Sequence, residues 1–344
     1  MSSDAPDVNR SSRQSISTLP HPLSASPTIF QELVASTCSS TGLDLEKIVH
    51  DYWLIRSLYG VAARLPEGGV FKDPLTPKDI RKGRTQETQP VKGVWAFGGG
   101  TCLSSAWQVS PRWSEDIDGV ILQSDTASKS SFNGIRKQVT DLVAEVVGVK
   151  GTTITRTDPI IHTRFEVSEE IVFKMDHALE TQSSEQLVSS SAVSGLLARY
   201  SDDPAGLCER FPELGGFDLP VIQPAYIAVN KLDALHRRAV AERWEALQER
   251  VRDIYDLYHI ALHPVHADLC REKVVDWWAH MNRAGNMDVS RPDGGYGTSP
   301  IFESGSPAQG ILCAAYNKDI QAIAIGTPPP FEEVIATARK LDLP

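Results

Sequence analysis

The chain has 344 residues, 41% of them hydrophobic, and 34 Lys and Arg against 44 Asp and Glu give a formal net charge of −10. Such a length supports a substantial core and two domains, and the acidic balance argues against a protein built to coat long nucleic acid without selectivity. No apolar run approaches the ~20 residues that cross a bilayer, the first residues carry no signal-peptide pattern, and five scattered cysteines without C-x-x-C spacing read as reduced thiols, so a cytoplasmic chain with no membrane partner is expected.

Residues 1–26 are rich in serine, proline and charge and read as a mobile N-terminal segment. Helices are predicted from Pro27 to Thr37 and from Glu46 to Leu65, the second with Ile48, Tyr52, Ile55, Leu58 and Tyr59 at helical spacing. Residues 66–90 read as a polar loop. Val91 to Phe97 is a short apolar, β-branched and aromatic run, hence a buried strand, and it ends at Gly98-Gly99-Gly100 where a helix can start. A strand at Asp116 to Leu122, a helix near Ser130 to Val147 and a strand at Ile171 to Asp176 complete a core that reaches about Glu180. From Glu185 onward helices are predicted to dominate, at Gln223 to Val240, Val251 to Leu262, Ala267 to Arg283 and Phe331 to Leu341. The organisation expected is α+β: the segment 1–26, N-terminal helices and a core of small mixed sheet with flanking helices over 27–185, and a mainly helical C-terminal lobe with an irregular tail over 186–344. No internal repeat is present.

The glycine triplet and the following Arg112-Trp113-Ser114-Glu115-Asp116-Ile117-Asp118 carry the chemistry. Glycines let consecutive backbone N–H groups approach a phosphate, the helix start favours the same anion, and Thr101 and Ser104 add hydroxyl donors. Asp116 and Asp118 flank Ile117 at a strand start, so the two-residue period points both carboxylates one way. Two facing carboxylates repel, and a hard divalent cation that also bridges triphosphate oxygens removes the repulsion. Plainer readings exist. Glycine triplets occur in many turns, D-x-D arises by chance, and Ser114-Glu115-Asp116 resembles a helix N-cap, although the apolar run Ile117 to Leu122 argues for a strand.

Further along, Lys231 lies on a half-apolar helix face with Ile227, Ala234, Leu235 and Arg238, where a lysine either meets a counter-charge or snorkels to solvent. Asp253 borders the apolar stripe of Ile254, Leu257, Tyr258 and Ala261, and a surface network with Arg237, Arg250 or Arg252 would also account for it. Cys102 has no implied base and reads as a packing residue. His259, His263 and His266 read as a helix-end cluster rather than a zinc site.

The blocks Phe97 to Ser104, Arg112 to Asp118, Lys231 to Arg238 and Arg252 to Asp256, in this order, resemble the AbiEii/AbiGii-type nucleotidyltransferase toxins, including the MenT-like enzymes, of the DNA polymerase β-like superfamily. The resemblance spans roughly positions 91 to 262 and implies a polymerase β-like nucleotidyltransferase core. It departs from the family at Gly98, where a lysine or other residue usually stands, so a phosphate contact would pass to Arg112 or Lys231. The resemblance makes Lys231 a ligand of the nucleotide phosphates and Asp253 the late aspartate that orients the lysine or assists the attacking hydroxyl. It implies a third metal carboxylate beside Asp116 and Asp118, for which Asp176 is favoured over Glu166. Gly99, Gly100, Thr101, Ser104, Arg112 and Ser114 would join Lys231 around the nucleotide. The expected activity is Mg2+-dependent (or Mn2+-dependent) transfer of a nucleoside monophosphate from a nucleoside triphosphate to the 3′ end of tRNA, by a toxin under a cognate antitoxin. A protein or small-molecule hydroxyl as acceptor, and nucleotide binding without transfer, are the alternatives.

Overall fold

The computed structural model describes residues 22–123, 128–157, 160–180, 186–283 and 290–342. In chain order its elements are α1 (Pro27–Thr41), α2 (Leu45–Ala62), β1 (Val70–Lys72), α3 (Pro77–Arg81), β2 (Val91–Gly98), α4 (Gly99–Ser105), β3 (Asp116–Leu122), α5 (Lys129–Val147), β4 (Thr152–Thr157), β5 (Ile160–Glu166), β6 (Val172–Glu180) and β7 (Val188–Ser194). They continue as α6 (Leu196–Arg199), α7 (Pro204–Arg210), β8 (Gly215–Ile222), α8 (Pro224–Val240), α9 (Trp244–Gln248), α10 (Val251–Leu262), α11 (Pro264–Arg283), α12 (Pro307–Asp319) and α13 (Phe331–Ala338). The fold is mixed, a central sheet with a helical lobe, and no described helix is long and apolar enough to cross a membrane.

One mixed sheet runs β4-β5-β6-β3-β2-β8-β7, with β1 added beside β2. Next to the middle strand β3 lies β2, whose Trp95, Ala96 and Phe97 are fully buried. It pairs antiparallel with β3, setting Gly98 opposite Asp118, and parallel with β8 at Phe97 and Val221. β3 in turn pairs parallel with β6. Against one face pack α2 and α5. Asp44 caps the first, accepting from the Lys47 N–H at 2.9 Å, and Ser128 caps the second. Their apolar stripes, Ile48, Tyr52, Ile55 and Leu58 in α2 and Phe132, Ile135, Val139 and Val143 in α5, are buried.

Three sequence expectations change. The loop at 66–90 contains β1, which extends the sheet through Val70 opposite Val94. The sheet does not end near residue 185: β7 and β8 belong to it, so the core reaches Ile222 before the helical lobe begins. Of the N-terminal segment, residues 1–21 lie outside the described residues, whereas Leu23 is fully buried and its N–H donates to Glu213 at 2.6 Å, tying residues 23–25 to the body.

The lobe is built on α8, which follows β8 directly and packs against α10 and α11, while α13 closes over α10. Its last segment returns to the core. Trp113 N–H donates to the Ile323 carbonyl at 2.8 Å, Ile325 N–H donates to the Pro111 carbonyl at 2.9 Å, and Arg112 bridges to Ala324.

Candidate active site

β3 places Asp116 and Asp118 on one face of the sheet, and parallel pairing sets Asp118 beside Asp176 of β6. Burial and then the repulsion of neighbouring carboxylates make Asp116 and Asp118 reluctant to ionise. Asp116 is pushed up to about 6 by burial and the charges of Glu115 and Asp176, and Asp118 to about 7 by burial, Asp176 and Asp116. Asp176 accepts a 2.7 Å hydrogen bond from His162 Nδ1, its cross-strand partner on β5. Glu166, the competing third carboxylate, pairs in register with Val172, is exposed and is bound to Arg164 at 3.0 Å, so Asp176 is the acid beside Asp118.

The glycine turn presses against this face. Gly99 has φ +66°, and a Cβ there would lie 1.7 Å from Asp118 Oδ2, so only glycine lets the backbone approach the carboxylate. Gly100 faces Arg112 and the Ser114 hydroxyl, and Ser114 is buried beside it. The hydroxyls expected to hold phosphate are otherwise employed. Thr101 Oγ1 donates to the Asp116 carbonyl and Ser104 Oγ donates to the Thr101 carbonyl at 3.1 Å, both within buried surroundings. Thr101 therefore fixes the start of β3, and Ser104 satisfies a helix carbonyl, rather than offering donors to a ligand.

Contact between α8 and α10 brings the second half of the site together. Asp256, fully buried, is its centre: Arg112 grips it with Nε and Nη2, each at 2.7 Å, Ser110 Oγ donates at 2.6 Å, and Lys231 Nζ stands 3.0 Å away. Burial opposes ionisation of Asp256, but Arg112 and Lys231 overcome it and hold the group well below the usual carboxylate range. Lys231 Nζ also donates to Asp253, which pairs with Arg250 at 2.7 Å; these two cations outweigh burial and lower Asp253 as well. Arg112 thus departs from its expected role. Its guanidinium is turned inward onto Asp256 and the Trp113 carbonyl at 2.9 Å, so it braces the loop instead of meeting phosphate. Lys231 is 8% exposed, and its charge reaches Asp118, whose ionisation it favours together with Arg250.

The structure therefore brings Asp116, Asp118, Asp176, Gly99, Gly100, Ser114, Lys231 and Asp253 to one region and takes Thr101, Ser104 and Arg112 into its supports. Among the described residues no group of three His, Cys, Asp or Glu side chains is closed tightly enough to hold an ion as it stands. The donor set nevertheless fits a hard divalent cation: three carboxylates crowd one another, and added positive charge relieves their repulsion. A cavity of about 360 Å³ lined by Leu65, Pro66, Val188, Ser190, Asp218 and Pro220 contains none of these residues.

Sequence reasoning missed Asp256 as the hub, along with Ser110 and His162, whereas Arg250 is the partner of Asp253 that the sequence offered. Asp256 stands one helical turn after Asp253, which marks its flank of α10, but its partner Arg112 is distant in sequence and no periodicity links them. For His162 the only signal is strand alternation across from Asp176, readable once the β5–β6 register is known.

Residues 86–337, which enclose every residue of this site, match the model of the family described as nucleotidyl transferase AbiEii toxin, type IV TA system. No curated relative matches the chain.

Proposed function

Because the chain belongs to the AbiEii family of nucleotidyl transferase toxins, we propose that it transfers a nucleoside monophosphate from a nucleoside triphosphate to the 3′ end of tRNA with Mg2+ or Mn2+, blocking translation under the control of a cognate antitoxin in the cytoplasm. The observation that supports this reading most is the register of Asp118 with Asp176 on one side and Gly98 on the other, with Lys231 in electrostatic reach.

In this reading Asp116, Asp118 and Asp176 hold the divalent cation, which when bound neutralises phosphate charge and lowers the pKa of the acceptor hydroxyl. The backbone of Gly99 and Gly100 and the Ser114 hydroxyl seat the phosphates. Lys231 contributes a fixed positive charge toward the β- and γ-phosphates, and Asp253 and Asp256 keep its ammonium from swinging into solvent. Arg112 holds Asp256 charged, so the lysine keeps its anchor. The acceptor oxygen bonds to the α-phosphorus as the α–β bridge bond breaks, pyrophosphate departs and the hydroxyl proton passes to water. Most of the acceleration comes from positioning and charge neutralisation.

Incubating the protein with each α-labelled nucleoside triphosphate, Mg2+ and total tRNA tests the reading. Label on the tRNA 3′ end is expected, and Asp116→Ala should reduce it to background while leaving the melting temperature near that of the parent. Label on protein or on a small molecule would reassign the acceptor, and retention of nucleotide without product would make the chain a binder.

A further inference from the structure

Asp176 differs from the other two acids of the site in having an imidazole on its far side. The His162 ring stands across the β5–β6 pairing, with Nδ1 2.7 Å from Oδ1 of Asp176. Both side chains are half-buried on the sheet face that carries Asp116 and Asp118, and the structure gives the Asp176 carboxylate no other hydrogen bond among the described residues. We propose that His162 is a positioning residue: it fixes the third carboxylate of the site in the orientation that receives the divalent cation. The inference rests on the transferase reading above.

Without a cation, Asp176 feels the repulsion of Asp116 and Asp118, and rotation about χ1 and χ2 would turn its oxygens away from them. A ring N–H donated to Oδ1 ties one oxygen to the β5 side and leaves Oδ2 for the shared face. The imidazole is stiff, with two rotatable bonds, and is set by its strand. It therefore removes freedom from the aspartate at little entropic cost. Outer partners of metal-binding carboxylates act in this way, and their loss typically weakens metal affinity by ~10–100-fold. Arg164 and Lys174 share this face but lack that placement: Arg164 is bound to Glu166, and Lys174 stands in register with Asp116.

Asparagine and glutamine distinguish the ring's two nitrogens. The Asn amide reaches the position of Nδ1, whereas the Gln amide reaches that of Nε2. Mn2+ titration by calorimetry into full-length parent, His162→Ala, His162→Asn and His162→Gln is therefore the test, with Asp116→Ala as the reference for site-specific binding and thermal melts for each protein. Binding is expected to weaken ~10-fold or more in His162→Ala and His162→Gln and to stay near the parent in His162→Asn. In the transfer assay the same pair should raise the KM for Mn2+ and leave kcat at saturating metal close to the parent. Equal affinity in all four proteins overturns the inference and leaves the transferase reading standing. Loss in His162→Asn as complete as in His162→Ala also overturns it, because the ring itself would then be a ligand. Absence of any Asp116-dependent Mn2+ binding in the parent removes the transferase reading, and the inference with it. Should alanine lower the melting temperature, the comparison of the two amides decides, since they differ only in reach.

Discussion

In the folded chain Asp118 keeps its proton up to about pH 7, whereas an ordinary aspartate loses it near 3.8. Between these values the folded state binds more protons than the unfolded state, so in the absence of metal this residue makes stability fall as pH rises from about 4 to about 7, with the loss complete above that. Asp118→Asn removes the effect. In EDTA the melting temperature of the variant is expected to exceed that of the parent by a margin that widens between pH 4.5 and pH 8, and saturating Mg2+ should close the margin by stabilising the parent alone. A margin that stays constant with pH would show that Asp118 ionises normally. The site thus carries its acids at an electrostatic disadvantage that ligand binding relieves, while Asp256 lies at the opposite extreme, held ionised by Arg112. Two aspartates of one region are driven in opposite directions by the charges that face them.

Among the elements, α2 and α5 meet so closely that Gly60 has no room for a side chain: a Cβ would stand 2.0 Å from Val146 Cγ2. Gly60→Ala improves helix propensity by about 1 kcal/mol but is expected to cost ~1–3 kcal/mol in forced packing, for net destabilisation in chemical denaturation. Val146→Ala in the same chain should recover part of it, and an unchanged midpoint in Gly60→Ala would contradict the packing. Elements of this kind were readable wherever a single period dominates the sequence. The apolar run of β2, the helical spacing of α2 and the stripe of α10 each declare a buried face. β7 and β8 do not, because VSSSAVS lacks apolar alternation and GGFDLPVI carries two glycines and a proline; Pro220 is tolerated there opposite Ser190. β1 has only three residues and is a strand because β2 offers it an edge. The acids of β3 were legible from their spacing, whereas Arg112 on Asp256 and His162 on Asp176 depend on how distant segments fold together.

On the scale of the whole molecule, the site draws on the sheet, on two helices of the lobe and on the loop at 110–114, and that loop is held by the distant segment Ile323 to Ile325. Trp113 and Pro111 exchange backbone hydrogen bonds with Ile323 and Ile325, so the placement of Arg112 and Ser114 depends on a segment synthesised long after them. Completion of the site then waits on the synthesis of that segment. A chain still threaded through a ribosome, with residues beyond 320 hidden in the exit tunnel, lacks the clasp and is expected to transfer no label, and puromycin release should switch the activity on. Equal activity in stalled and released chains would refute this delay. A chain still in the making thereby lacks a finished site.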